Sequence, residues 1–378
     1  MNIRNLPRSM ERSVLEALKP GHVVGLLGAR RVGKTFLMEQ VKTYLSDRKI
    51  LTVQGDNLDV AEILSSSRLS LLERFVKGYD TLFIDEAQMI PDIGANLKLL
   101  VDVHPEIVVF VTGSSAFDLK TKTGEPLTGR STFFNLYPFA QMELSEDFLK
   151  VKGTLEQKLI FGMYPQVYLS NNVDEKIDYL ESIREGYLLK DLLLIDNMKS
   201  ALFVLNLLRL IAFQIGNEVS FSELGRALNA DNKTVQRYLE LLEKMYVIFS
   251  LNGFSRNLRK EYTKSPRYYF WDNGIRNALI SNYNQFAQRD DVGKLWENYC
   301  ISERMKRNHY SRNRVNSYFW RTYDQKEIDY VEESGGKLFG YEMKWGKSRS
   351  SGEKLFSATY ANATVATINP ENHLDFIL

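Results

Sequence analysis

The sequence contains few of the residue types from which disulfides and histidine-based metal sites are built. Its 378 residues include a single cysteine, Cys300, which excludes an internal disulfide framework and any zinc site of the CxxC type. The four histidines, His22, His104, His309 and His373, are widely separated. Their scatter argues against a histidine-based metal cluster.

A long apolar segment and a large net charge are also missing. The longest apolar stretch, 201–215, is short for a membrane span and carries Asn206, Arg209 and Gln214, so it predicts a buried helix. The opening residues, MNIRNLPRSM, lack the apolar region of a secretory signal. The sequence therefore predicts a cytoplasmic protein that makes no use of a membrane.

Charge is balanced overall but unevenly distributed. Lys and Arg total 49 against 47 Asp and Glu, and the net charge of +2 does not mark a nucleic-acid binder. Residues 51–110 contain four basic and ten acidic side chains, whereas 251–320 contain thirteen basic and six acidic ones. If the chain holds a polyanion, we expect the C-terminal part to do so.

Hydrophobic periodicity predicts an α/β fold in the N-terminal third. Buried apolar strands that alternate with helices indicate a parallel sheet with right-handed crossovers. The predicted strands are 23–27, 50–53, 81–84 and 107–111, and the predicted helices are 36–45, 64–76 and 97–103.

The rest of the chain divides by pattern into further segments. We predict an α/β core at 1–140, a helical lid or linker region at 141–215, a winged helix at 216–255 and a second α/β domain at 256–378. The last segment is rich in aromatic and β-forming residues and has one clear helix, at 292–307.

A phosphate-binding loop follows the first predicted strand. The sequence GARRVGKT fits the pattern GxxxxGK[ST], with a strand before it and a helix after it. In such a loop, backbone N–H groups and the helix N-terminus face phosphate oxygens, the lysine reaches the β- and γ-phosphates, and the hydroxyl binds Mg²⁺. The predicted nucleotide-binding residues are Gly28, Ala29, Arg30, Arg31, Val32, Gly33, Lys34, Thr35 and Phe36.

Two adjacent carboxylates end the third predicted strand. Asp85 is expected to hold Mg²⁺ together with Thr35, and Glu86 is expected to polarise the attacking water. Paired acids at this place usually cap the next helix instead. Because a phosphate-binding loop lies upstream, the pair indicates nucleotide hydrolysis with Mg²⁺ as the cofactor.

Two further catalytic candidates are less specific. Ser114, with Thr112 and Ser115 close by, follows the next strand and could sense the γ-phosphate, although a helix cap is an equally good interpretation. Arg130 is a candidate arginine finger for a neighbouring site, which would imply a homo-oligomer. The alternative is a surface arginine or a structural ion pair.

Residues 20–140 resemble the AAA+ branch of P-loop ATPases. The resemblance is carried by IDEAQ at 84–88, TGSS at 112–115, the pair at 129–130 and LYPF at 136–139. It extends over nearly the whole chain, because in this bacterial and archaeal group the AAA+ module is followed by a C-terminal domain of uncharacterised role. The resemblance implies ATP rather than GTP.

Residues 217–251 resemble a winged helix. Ser220 and Glu223 have capping-box spacing, a turn follows at 229–232, and 247–251 would form the strand of a wing. Lys233, Gln236 and Arg237 on the outer face of the second helix could enter a major groove of duplex DNA. A lid or a protein contact has nearly equal weight.

The last segment resembles the PD-(D/E)xK restriction-endonuclease fold, with Ile328 in place of the proline. Asp329 and Glu342 on neighbouring hairpin strands, with Glu297 from a helix, could bind a divalent ion, and Lys344 could position the hydrolytic water. The alternatives are an inactive binding scaffold or a charged sheet edge.

These motifs together predict Mg²⁺-dependent ATP binding and hydrolysis, coupled to a C-terminal region that binds duplex DNA or a protein partner. Two other functions remain open at this point. One is an ATP-regulated metal-dependent nuclease, and the other is a nucleotide-switched protein-interaction module without DNA binding.

Overall fold

The computed structural model describes residues 6–114, 127, 129–144, 146–195, 201–255, 265–346 and 352–378. Contacts divide the chain into two compact units. The first contains the residues up to Tyr137 together with Lys244–Tyr246, and the second contains Pro138–Glu243 and Val247–Leu378. No helix in the described ranges is long and apolar enough to cross a membrane.

A five-stranded parallel sheet forms the centre of the first unit. Its strands lie in the order β2-β3-β4-β1-β5. Every residue of β1, β3 and β4 is buried, as expected for parallel strands covered on both faces. The strands are β1 His22–Leu27, β2 Ile50–Gln54, β3 Thr81–Asp85, β4 Val108–Gly113 and β5 Ser131–Asn135.

Helices cover the sheet and complete the α/β arrangement that the sequence predicts. Leu82, Ile84, Val109 and Val111 from the strands pack with Leu97 and its neighbours in one apolar core. The helices of this unit are α1 Met10–Ala17, α2 Lys34–Thr43, α3 Leu58–Leu64, α4 Leu69–Val76 and α5 Ile93–Val103.

The prediction of one helix over 64–76 was wrong. That segment contains the end of α3, a break and then α4. Ser67 has a φ of 53°, in the left-handed region, and Arg68 is extended at the start of α4. Neither conformation continues a right-handed helix, so the chain has to restart.

The second unit begins with the helices expected over 141–215. The aspartate and serine caps of two of its helices follow the sequence: Asp147 accepts a hydrogen bond from the Lys150 amide (2.8 Å), and Ser220 accepts one from the Glu223 amide (3.4 Å). The helices are α6 Phe148–Phe161, α7 Pro165–Leu169, α8 Val173–Ile195, α9 Ala201–Phe213, α10 Phe221–Leu228, α11 Asn232–Lys244, α12 Asn273–Leu279, α13 Val292–Tyr310, α14 Glu353–Thr359 and α15 His373–Ile377.

A mixed six-stranded sheet lies in the same unit, in the order β11-β10-β9-β8-β6-β7. Gly335 and Gly336, both with positive φ, form the tight turn between antiparallel β9 and β10. The strand expected as a wing is β6, which pairs with β7 and also with β8, so it belongs to this sheet. The strands are β6 Ile248–Gly253, β7 Arg267–Phe270, β8 Asn316–Arg321, β9 Glu327–Ser334, β10 Lys337–Met343 and β11 Ala363–Ile368.

Candidate nucleotide-binding site

The loop between β1 and α2 has the tight curvature that its glycines permit. A Cβ atom on Gly28 would lie 2.1 Å from the carbonyl oxygen of Leu136, which is too close for any side chain. Gly33, with a φ of 100°, is the N-cap of α2. The loop therefore places the N-terminus of α2 at the carboxyl end of the sheet.

Lys34 is the first residue of α2, and its side chain folds back over the loop. The residue is 4% exposed, and its Nζ donates hydrogen bonds to the carbonyls of Gly28 (3.0 Å) and Ala29 (2.9 Å). The two carbonyls therefore hold the ammonium group against the loop, where it would attract a phosphate anion.

Thr35 and Asp85 meet at the carboxyl ends of β1 and β3. The Thr35 hydroxyl donates a 2.7 Å hydrogen bond to Oδ2 of Asp85. The other carboxylate oxygen, Oδ1, accepts from the Thr112 hydroxyl on β4. A hydroxyl and a carboxylate in contact are hard oxygen ligands of the kind that Mg²⁺ takes alongside phosphate oxygens, so these residues fit that ion.

Glu86 has a constrained backbone at the end of β3. Its φ of 51° is in the left-handed region, and its N–H donates to Oδ1 of Asp85 (3.1 Å) and to the Thr112 hydroxyl (3.3 Å). The Glu86 carboxylate accepts a hydrogen bond from the side-chain amide of Gln88. Strained backbone of this sort persists where the surroundings hold it, commonly at functional sites.

Ser114 joins the same network through its backbone. Its N–H donates to Oε1 of Gln88 (3.2 Å), and the residue is 3% exposed. Its place beside Glu86 fits the sensor prediction, which stays a prediction. Ser115, the other residue suggested there, lies outside the described residues.

Sequence reasoning misses two contributors to this end of the sheet, Gly55 and Gln88, and names a third, Thr112, only as an alternative to Ser114. Thr112 was given a lower rank than Ser114, although it is Thr112 that contacts Asp85. Gly55 was not singled out; a Cβ there would lie 2.4 Å from the carbonyl oxygen of Glu86. Gln88 was quoted only as part of a motif. A glycine directly after a strand was the one available signal.

Arg8 is a further residue that the sequence did not reveal. It is 4% exposed, and its guanidinium donates 2.7 Å hydrogen bonds to the carbonyls of Val32 in the loop and of Tyr137. The segment before α1 therefore stabilises the conformation of the phosphate-binding loop through the Arg8 side chain.

Arg130 lies at the amino ends of the strands, and the phosphate-binding loop lies at their carboxyl ends. It forms an ion pair with Asp102, and its carbonyl accepts from the amide of Val23, near the amino end of β1. The loop starts after Leu27, about 13 Å further along that strand. In this arrangement Arg130 does not reach the loop of its own chain, so the arginine-finger prediction applies only to a neighbouring molecule.

The residues predicted to contact DNA lie on one exposed face of α11. Lys233, Gln236 and Arg237 are exposed, whereas Val235 and Leu239 are buried, as the spacing predicts. The Gln236 amide donates to Glu240 (2.9 Å) on that face. The face is accessible, and DNA contact stays a prediction.

The three carboxylates of the C-terminal constellation are all buried. Glu297 on α13, Asp329 on β9 and Glu342 on β10 are 7%, 5% and 1% exposed. Lys344 forms a 3.2 Å ion pair with Glu342, and the Tyr269 hydroxyl donates to Glu297 at 2.8 Å. The prediction of a solvent-exposed charged edge is therefore wrong, because all three carboxylates are buried.

Burial changes the acidity of Asp329. Desolvation and the nearby Glu297 raise the pKa of Asp329 to about 7, against the opposing effects of the Met343 amide and Lys344. No group of three or more His, Cys, Asp and Glu side chains within the described ranges is arranged to hold a metal ion. A divalent ion at Glu297, Asp329 and Glu342 thus stays a prediction.

Family models match three successive parts of the chain. Residues 20–145 match a model described as an AAA domain. Residues 152–285 and 292–372 match two domains of unknown function, DUF8612 and DUF4143.

Two curated relatives, both described as uncharacterized, match most of the chain. An uncharacterized protein of Mycobacterium bovis and one of Mycobacterium tuberculosis are each 26% identical over 364 residues, which is 94% of this chain and 78% of theirs.

Solved structures of low overall similarity include DnaA, RuvB and ORC. AMPPCP-bound DnaA from Aquifex aeolicus has a TM-score of 0.29 and 13% identity, covering 62% of this chain and 86% of its own. A RuvB mutant of Thermotoga maritima has a TM-score of 0.29 and 18% identity, with coverages of 66% and 90%. Drosophila ORC bound to DNA has a TM-score of 0.24 and 13% identity, with coverages of 72% and 92%.

The family match and the site geometry agree for the N-terminal part of the chain. The loop, the acidic pair and the parallel sheet all lie within the matched range 20–145. That range has an α/β fold and is similar to the AAA domain family.

Proposed function

We propose that the chain binds ATP with Mg²⁺ at the loop 28–35 and hydrolyses it. The observation that carries the proposal is the 2.7 Å hydrogen bond from the Thr35 hydroxyl to Asp85. It brings the last loop residue and the acidic strand end to the one place where a metal-bound phosphate would need both.

The chain's own residues have separate tasks in this proposal. The loop amides and the N-terminus of α2 bind the phosphates, and Lys34 draws charge toward the transferred phosphoryl group. Thr35 and Asp85 would hold Mg²⁺, which neutralises phosphate charge when it is bound. Glu86 accepts a proton from the attacking water, and Gln88 orients the Glu86 carboxylate.

Metal dependence tests the assignment of Asp85. We expect Asp85→Asn to raise the Mg²⁺ concentration for half-maximal phosphate release at least tenfold, because a neutral amide is a poorer ligand for a hard cation. Asp80→Asn is the matched control, because Asp80 directly precedes β3 and so lies at the other end of the strand from Asp85. This variant should behave like wild type. Unchanged Mg²⁺ dependence in Asp85→Asn would remove this residue from the site.

We further propose that nucleotide turnover is coupled to binding of duplex DNA by the C-terminal region, or of a protein in its place. The exposed basic residues of α11 and the basic excess over 251–320 support DNA. A protein partner is the outcome if ATP turnover ignores DNA. With either partner, Arg130 would act on the nucleotide site of a neighbouring molecule in a homo-oligomer.

A metal-dependent nuclease is a second candidate, and the buried carboxylates favour it over a structural surface edge. Glu297, Asp329 and Glu342 are buried, and Lys344 forms an ion pair with Glu342. Burying acids is costly unless partners or a bound cation compensate their charge. Glu342→Ala should abolish DNA cleavage with Mg²⁺ or Mn²⁺ while leaving ATP hydrolysis intact. If the wild-type protein cuts no DNA with either metal, the domain is a scaffold.

A further inference from the structure

A cavity in the second unit is lined by more positive charge than negative. It lies among α6, α7 and the start of α8 and has a volume of about 190 Å³. Three lysines line it, Lys150, Lys158 and Lys176, but only one carboxylate, that of Glu146. Each lysine carries one charge, so the lining has an excess of two positive charges.

The single carboxylate is already fully engaged. Glu146 forms an ion pair with Lys158 and accepts hydrogen bonds from the Tyr168 hydroxyl (2.8 Å) and the Gln141 side-chain amide (3.1 Å). Lys150 lies 3.4 Å from its other oxygen. Glu146 therefore compensates Lys158 and has little capacity left for a further cation.

Lys176 is the lysine whose charge has no such partner. It is 6% exposed, and its Nζ donates one 2.9 Å hydrogen bond, to the neutral Gln157 side chain. Its ammonium also lies 5.4 Å from the centroid of the Phe161 ring. Among the residues that the structure describes, no carboxylate is within ion-pair distance of Lys176, and burial alone lowers its pKa.

A buried ammonium with one neutral acceptor is costly unless an anion completes its shell. The cavity beside it is large enough for such an anion, since a single water needs only about 10–15 Å³ of comparable volume. We propose that this cavity binds a small oxyanion, a phosphate or a carboxylate group, with Lys176 as its principal cation and Lys150 at the entrance. The proposal is independent of ATP hydrolysis.

Inorganic phosphate is the direct probe, and the phosphate-binding loop has to be silenced first. In a Lys34→Met background, isothermal titration should show phosphate binding at constant ionic strength, and adding Lys176→Met should weaken it at least tenfold. The matched control is Lys152→Met, which removes a lysine of α6 that does not line the cavity. The Lys152 side chain is 54% exposed and pairs with Glu371 on the surface. That control should bind as before.

Two more measurements keep the test decisive. Without phosphate, Lys176→Met should unfold at a higher temperature than its parent, because an uncompensated charge is removed from the interior; Lys176→Gln serves if the first variant does not fold. Acetate in place of phosphate distinguishes a carboxylate site from a phosphate site. No binding of either anion in the Lys34→Met protein, or equal binding after Lys176→Met, would overturn the proposal.

Discussion

Single residues at the carboxyl end of the first sheet have chemically distinct environments. Lys34 is buried against carbonyls, Asp85 is held between two hydroxyls, and Glu86 is half-buried with a carboxylate that only Gln88 is seen to contact within the described part of the chain. A carboxylate that is oriented by a neutral amide is positioned as a general base has to be.

Glu86→Gln should therefore separate binding from hydrolysis. The isosteric amide keeps the shape of the site but cannot accept a proton, so we expect ATP affinity within about threefold of wild type and turnover lower by about 10²–10⁴-fold. Equilibrium ATP binding and steady-state phosphate release measure the two quantities. Glu62→Gln, an exposed substitution on α3, should change neither. Loss of binding in Glu86→Gln would contradict the assigned role.

Glu146 predicts how stability depends on acid pH. Burial alone would raise its pKa, but hydrogen bonds and charge from Lys158, with help from Tyr168 and Gln141, lower the pKa to about 2. The folded state therefore holds this proton less tightly than the unfolded state, and the resulting stability is present above about pH 4.5 and lost as the pH falls toward 2.

Glu146→Gln should flatten that acid limb. Its free energy of unfolding is expected to vary less than that of wild type between pH 4.5 and the lowest pH at which the fold persists, by on the order of 1–3 kcal/mol. Urea unfolding at several pH values measures this. Glu185→Gln, 69% exposed, should retain the wild-type slope. Parallel curves for Glu146→Gln and wild type would contradict the pKa argument.

Residues of the site were predictable where a local pattern fixes them. Lys34, Thr35 and Asp85 follow from a loop motif and a strand that ends in acids, and the structure places them together. Thr112 and Gly55 were not predictable in the same way. Their roles depend on which strands become neighbours, and pairing partners distant in sequence leave no mark on the periodicity of a single strand.

Secondary-structure elements around the loop add constraints that the motif does not contain. Arg8, just before α1, donates to carbonyls of two segments, one in the loop and one after β5. If Arg8 is lost, two buried carbonyls lose charged donors, and each unsatisfied buried group costs about 1–3 kcal/mol.

Arg8→Met should consequently weaken nucleotide binding. We expect the Kd for ATP to rise by about tenfold, equivalent to about 1.4 kcal/mol, because the loop no longer has a fixed shape before the ligand arrives. Arg12→Met is the matched control, since Arg12 is on α1 with its side chain 91% exposed. Fluorescence titration with a labelled ATP analogue measures both. Equal affinities for the two variants would mean that Arg8 has no part in shaping the loop.

Among the secondary-structure elements, strands made of apolar runs were predictable from the sequence. Strands whose place in a sheet depends on a distant neighbouring strand were not. The strand β5 went unpredicted because Ser131–Asn135 is polar at both ends, yet it pairs along β1. The pairing of β6 with β8 was not predictable for a related reason: a strand's local sequence does not say that it will join a strand some sixty residues later. The wing itself stays a prediction.

The whole molecule combines a nucleotide site in one compact unit with a basic, exposed helix face in the other. Its total charge of +2 carries no information about nucleic acid, so any DNA affinity has to come from local clusters. Salt dependence is the property that distinguishes such a cluster from a protein-binding surface.

If α11 contacts duplex DNA, neutralising it should change the salt response as well as the affinity. The double variant Lys233→Ala, Arg237→Ala is expected to bind DNA at least tenfold more weakly and to lower the slope of log affinity against log salt by about two. Lys77→Ala, Lys98→Ala removes the same charge from exposed positions of the other unit and serves as the control. Identical slopes for the two double variants would favour a protein partner.

The most direct test of the central claim is steady-state ATP hydrolysis with Mg²⁺, with and without duplex DNA, for wild type and Lys34→Ala. The account predicts turnover in wild type that rises with DNA, and a fall to background in Lys34→Ala, because the ammonium over the loop is lost. Turnover that depends on Lys34 but ignores DNA would shift the proposed coupling to a protein partner. Equal turnover in the two proteins, or tight ATP binding by wild type without any hydrolysis, would contradict the account.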